Sequence, residues 1–172
     1  MVTRNYAPSG GIAVGGASPT EVELEVMGTT EVFLIGRWIK SRLQGDDDVT
    51  DAVTLIERNQ APLGTEFPYV LYHLVSGTDM LAGFGAVKTH VNCLYQVDVY
   101  VKGTSLSPVE TAIRRIYDLL TLVPAKGDSP VETSAGIIYN SVRELALERT
   151  GADAGVQWSN YIQQFRVRAS AV

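Results

Sequence analysis

A chain of 172 residues is long enough to bury one sizeable core and short for two. Charged residues make up 19%, below the roughly 25% usual for soluble domains, and the difference is taken up by Gly, Ser, Thr, Asn and Gln, which suit loops and polar contact surfaces. A net charge of −5 and a pI near 5.0 exclude the basic footprint of a protein that grips phosphates, and the one cysteine, Cys93, excludes an intrachain disulfide or a four-cysteine zinc site. No apolar run approaches membrane-span length and no positively charged start leads into a signal core, so the sequence reads as a protein used where it is made, in a reducing compartment, without a membrane partner.

In chain order, residues 1–28 differ from the rest. "NYAPSGGIAVGGASPTEVELEVMG" mixes Gly pairs with Pro8 and Pro19, which makes it costly to order, and it is expected to be a flexible or partner-ordered arm ahead of a single domain at 29–172. Within it, "EVELEV" alternates as a short strand would, with Val22, Leu24 and Val26 on one face. "TTEVFLIGRWIKSRLQG" predicts a helix capped at Thr29 or Thr30 and stopped by Gly45, with Val32, Ile35, Ile39 and Leu43 as its core stripe. "DDDVTD" breaks that pattern and "AVTLIERN" reads as a first strand.

"FPYVLYHLVSG" is rich in β-branched and aromatic residues and reads as a second strand ended by Gly77, with "GTDMLAGFGA" as a loop. From Val87 to Val101 the chain alternates: Tyr95, Val97, Val99 and Val101 on a buried face, Gln96, Asp98, Tyr100 and Lys102 on a solvated or partner-facing one. "SLSPVETAIRRIYDLLTLVP" predicts a helix capped by Ser107, with Pro108 in its first turn and Pro124 at its end. Two further strands, Gly136 to Arg149 and Val156 to Ser170, flank a hairpin connection. The expected fold is α+β, a mainly antiparallel sheet of about five strands with two helices packed on one face.

Chemistry-bearing residues are few. His73 and His90 lie in neighbouring predicted strands with Cys93 nearby, but their spacing matches no metal-ligand motif, and packed structural histidines are the simpler reading. Asp46, Asp47, Asp48 and Asp51 lack the glycine and distal glutamate of a calcium loop and read as a solvated acidic loop. Neither glycine-rich stretch fits a nucleotide fingerprint, and no serine sits in a nucleophile elbow, so no catalytic residue, cofactor or metal site is expected.

"APLGTEFPYVLYHLVSG", then "CLYQVDVYVKG", then "SPVETAIRRIYDLL" and a closing strand pair resemble the tail terminator and tail-completion proteins of tailed bacteriophages, of which the lambda gpU-like group is best known. The positions carrying the likeness are Phe67 to Tyr72 and Tyr95 to Tyr100, and it extends roughly from Thr30 to Ala169. The longer N-terminal arm and the polar insert "GDDDVTDAVTLIERNQ" depart from the pattern. The resemblance implies a structural virion protein, not an enzyme, that closes into a ring, typically a hexamer. That ring caps the tail tube, ends its polymerisation and offers a joining surface to the head or neck. Its partners are then itself, the tail tube protein and a head-completion or connector protein. DNA is only passing cargo, and the location is the virion neck, with assembly in the host cytoplasm. Another neck adaptor of the same fold, or a small α+β enzyme using His73, His90 and Asp98, are the alternatives.

A ring needs two different patches on each subunit. Met80, Leu81 and Phe84, apolar within a predicted loop, form one candidate, unless the loop folds back on its own core. Arg166 and Arg168 on the last strand form another: they pair with a neighbour's carboxylates or serve as solubilising edge charges. The Asp46 to Asp48 loop is expected to face the lumen, where its charge repels passing phosphates.

Overall fold

The computed structural model describes residues 21–82, 87–153 and 155–171. The elements run α1 (Glu21–Gln44), α2 (Asp47–Thr50), β1 (Leu55–Arg58), β2 (Tyr69–Ala82), β3 (Val87–Lys102), α3 (Glu110–Leu120), β4 (Val131–Thr133), β5 (Gly136–Asp153) and β6 (Val156–Ala171). The strands form one sheet of six in the order β1-β2-β3-β6-β5-β4. Every neighbouring pair is antiparallel except β1 with β2, so the α+β expectation meets a mixed sheet with one strand more than foreseen.

Two long hairpins, β2–β3 and β5–β6, make up most of the sheet, and β3 against β6 forms the seam between them. Pairing along that seam sets the faces. Tyr95 lies opposite Phe165 and Val97 opposite Gln163, so these residues share one side, and all four are buried. The two long helices, α1 and α3, lie on this side. The Tyr95 hydroxyl donates to the Val32 carbonyl of α1 at 2.6 Å, and the Gln163 amide donates to the Ile113 carbonyl of α3 at 3.3 Å. From α1, Leu34, Ile35, Trp38, Ile39 and Leu43 recur at helical spacing and are buried; from α3, Ala112, Ile113, Ile116, Leu119 and Leu120 do the same. Burial of each large apolar side chain here contributes about 1.5–3 kcal/mol, which is what holds the helices down.

Several local readings are corrected. The predicted strand "EVELEV" belongs to α1, where Glu, Leu and Met favour the helix and no proline interrupts it between Glu21 and Gln44. Residues 1–20 of the expected arm lie outside the described residues. "DDVT" folds as the short helix α2. Gly77 does not end β2: it pairs with Cys93, and a Cβ at that position would already stand 3.4 Å from the Cys93 sulfur. The strand runs on through most of the stretch read as a loop, so Met80 and Leu81 are strand residues paired with His90 and Lys88. The helix after Ser107 opens with a 3₁₀ turn and stops at Leu120, and Pro124 begins a separate 3₁₀ turn.

β1 and β2 run parallel with Leu55 beside Tyr69, and the connection through residues 59–68 carries no helix. Asn59, at φ 70°, starts the return, and its N–H donates to the Tyr72 carbonyl at 3.0 Å. At the other end Thr54 donates through its N–H to Pro68 O at 2.8 Å and through its hydroxyl to Glu66 O at 2.6 Å, which fixes the segment before the cis Phe67–Pro68 bond.

Candidate interaction surface

Among the described residues, no helix packs on the other face of the sheet, which carries Gln96, Asp98 and Tyr100 of β3 with their β6 partners Gln164, Ile162 and Asn160. These side chains cover one another. Asp98 is only 2% exposed, although its face has no helical layer. Its carboxylate accepts from the Gln96 amide at 3.0 Å to each oxygen and from the Asn160 amide at 3.2 Å, and Gln164 donates to Gln96 Oε1 at 2.9 Å. A buried carboxylate is tolerated only when its lone pairs are met in this way. Asp98 was expected on a solvated or partner-facing face; within the chain itself the Gln96 and Asn160 amides already desolvate it.

His73 stands beside this cluster, its Nδ1 3.6 Å from Asp98 Oδ2. The sheet therefore brings two residues of the enzyme alternative together. What they form is an imidazole resting on an amide-saturated carboxylate on a strand face, and no nucleophilic hydroxyl or thiol contacts the pair among the described residues. His90 lies at the opposite end of the sheet, where its Nδ1 accepts from Arg168 at 3.3 Å. Burial and then the Arg168 charge lower the His90 pKa, which favours the neutral, accepting ring. Cys93 is fully buried beneath the helices. No group of three or more metal-ligating side chains converges among the described residues.

Beyond Asp98 the same face becomes aromatic. Phe67 and Tyr69 lie 5.2 Å apart, Tyr69 stacks on Tyr100 at 4.9 Å, and Trp158 tilts against Tyr100 at 6.1 Å. With Gly64, Asp153 and Val156 these rings line an open hollow of about 460 Å³. Burial, then the nearby Asp98 carboxylate, pushes the Tyr100 hydroxyl up to about 12, so it stays protonated at neutral pH.

The residues singled out in the sequence fall in separate places. Met80 and Leu81 are 38% and 59% exposed near the far end of β2, and Phe84 lies outside the described residues. Arg166 and Arg168 are not on an edge strand, because β6 is interior; Arg166 forms a two-point pair with Glu144 of the adjacent β5 at 2.5 and 2.9 Å. Arg168 reaches over the Tyr139 ring at 5.8 Å as well as to His90. Asp46 is half-buried and bound to Arg115 of α3 at 2.7 Å, while Asp47 and Asp48 stay exposed at the start of α2. The acidic segment is tied to α3, whereas Met80 and Leu81 lie on β2. Sequence reasoning missed the Asp98 cluster because it depends on β3–β6 register; the alternating polar residues of both strands were its only sequence signal.

No protein-family model matches the chain, and no curated protein does. Among solved structures the fold is similar to that of a chain from the virion of a native gene transfer agent particle, with a TM-score of 0.50 at 16% identity over 76% of this chain and 91% of that one. At that identity the likeness is one of fold, and it spans nearly the whole of the other chain.

Proposed function

We propose that this chain is a structural subunit of a phage-like virion, which closes into a ring, most simply a hexamer, on the end of a tail tube. There it ends tube growth and presents the joining surface for the head or neck. The observation that carries this reading is the fold likeness to a virion chain over 91% of that chain's length. Two features support it. The Asp98 carboxylate is held by the amides of Gln96 and Asn160, which favours a scaffold over a reactive centre. The net charge of −5, repeated around a ring, repels passing DNA, and the exposed Asp47 and Asp48 are the side chains assigned to the lumen. The partners on this reading are the tail tube protein below and a connector or head-completion protein above, and the N-terminal segment is a further contact with them.

Deletion of the gene is the direct test. The expected phenotype is overlong tails and heads without tails, restored by the wild-type chain supplied in trans. Particles of normal tail length from the deletion would overturn the reading. Micrographs of labelled particles then assign the ring's level in the neck, and density on the tube's distal tip would be equally fatal.

A further inference from the structure

Each side of the sheet ends in a strand that is covered over only part of its length. β1 pairs with β2 at residues 69–72, and among the described residues no strand pairs with the outer side of β2 from 73 to 82. β4 covers β5 only at 136–138 and an isolated bridge joins Ser141 to Leu122, after which no described strand flanks β5 from 142 to 153. A row of backbone groups without a strand partner is a template for another strand, and natural proteins guard such rows with lysine, proline or cover. Residues 73–82 contain no Lys, Arg or Pro. The one carboxylate there, Asp79, is engaged within its own chain.

Exposed apolar side chains mark the same two edges. Of the eight large ones on the described surface, Val75, Met80 and Leu81 lie on the open run of β2, Val142 and Leu145 on that of β5, and Val156 at the tip of the β5–β6 hairpin. The covers are also reciprocal. Arg149 is level with Tyr69 across the sheet, through Asn160 and Tyr100, so β1 guards the end of the sheet at which β5 is open. Ile138 is level with Asp79, through Ala169 and Val91, so β4 guards the end at which β2 is open.

We propose that the two open edges pair with each other between neighbouring copies, with residues 142–153 of β5 in one subunit lying along 73–82 of β2 in the next. This rests on the ring reading and supplies its interface. Because β2-β3-β6-β5 alternate in direction, β2 and β5 run oppositely, and copies set side by side bring them together as an antiparallel pair. The contact is between two different surfaces of one chain, which is the kind that closes rings. Neighbouring copies are offset along the strands so that β1 of one clears the β5–β6 tip of the other, and the strands tilt against the ring axis as they do in closed barrels. Met80 and the β5 residues Leu147 and Arg149 share the helix-free face, since they pair with His90, Ile162 and Asn160, so their side chains meet on one side of the joint.

Cysteine pairs in the full-length protein test this. Met80→Cys is combined with Leu147→Cys or with Arg149→Cys, and concentrated protein is oxidised and run on non-reducing gels. The expected result is a linked ladder up to ring size from at least one double variant. A mixture of the corresponding single variants should link only as heterodimers, and each single variant alone should not link. Linked dimers from Met80→Cys alone would set β2 against β2 and overturn the proposal. Leu81→Lys supplies the second arm: it changes an exposed side chain, so the fold should survive by circular dichroism while assembly weakens at least tenfold in sedimentation. If sedimentation shows rings with no linkage and no effect of Leu81→Lys, the edge pairing is overturned and the ring stands. Monomers at every concentration, with no linkage, also overturn the edge pairing, and the deletion phenotype then judges the ring on its own.

Discussion

The two faces of this sheet are made by the same strands and are buried by different means. On one, Tyr95, Val97, Phe165 and Val167 disappear under α1 and α3. On the other, Asp98, Asn160 and Ile162 are buried as deeply with no helix above them, because amides and aromatic rings from adjacent strands lie across them. The first face is held by apolar area, which is large and indifferent to register. The second is held by hydrogen bonds that exist only if β3 and β6 are aligned to the residue. Burial alone therefore says little about mechanism; one face supplies stability, the other supplies alignment of the seam between the hairpins.

That contrast orders the expected effects of substitution. Phe165→Ala, in the fully buried layer under the helices, should lower unfolding free energy by about 3–5 kcal/mol in urea titrations, a large part of the total for a domain of this size. Asp98→Ala leaves the Gln96 and Asn160 amides facing each other without an acceptor and should cost less, about 1–3 kcal/mol; a loss matching that of Phe165→Ala would erase the distinction between the faces. Arg166→Ala removes an exposed pair with Glu144, and its effect should stay within about 1 kcal/mol.

The smallest effect is electrostatic. The His90 imidazole should titrate by NMR below its ordinary value of about 6.5, and Arg168→Ala should raise it partway, because burial is the larger cause and Arg168 the smaller. A folded-state pKa below the unfolded one means that this histidine's contribution to stability is complete above about pH 6.5 and is lost as pH falls below it. No movement on removing Arg168 would leave burial as the sole cause.

How much of this was legible depended on how local the signal was. The alternation from Val87 onward placed β3, because period-two burial needs no knowledge of partners. The α3 pattern, with Ile113, Ile116 and Leu120 on one side, was equally self-contained. Gly77 misled because glycine usually punctuates a strand; here it sits inside one, against the Cys93 sulfur. The "EVELEV" stretch satisfied a strand pattern over a few residues and lost to the helix propagating through it. β6 read as an edge only because it comes last in sequence, whereas its place between β3 and β5 is decided by long-range pairing. The Asp98 cluster was hidden for the same reason: Asn160 and Asp98 are neighbours only once that pairing exists. β4, at three residues, is too short to carry a pattern at all, whereas "AVTLIERN" had already placed β1.

The interior position of β6 also bears on how the molecule is built in time. Each hairpin closes between segments nearby in sequence, while β3 must wait for β6 across α3, β4 and β5. Until then β3 is itself an unsatisfied border, and the apolar layer meant for α1 and α3 has only half its floor. Joining of the two hairpins is therefore expected to be the slow, committing step of folding, and a chain ending before Val156 would have one finished hairpin and a sheet with no middle.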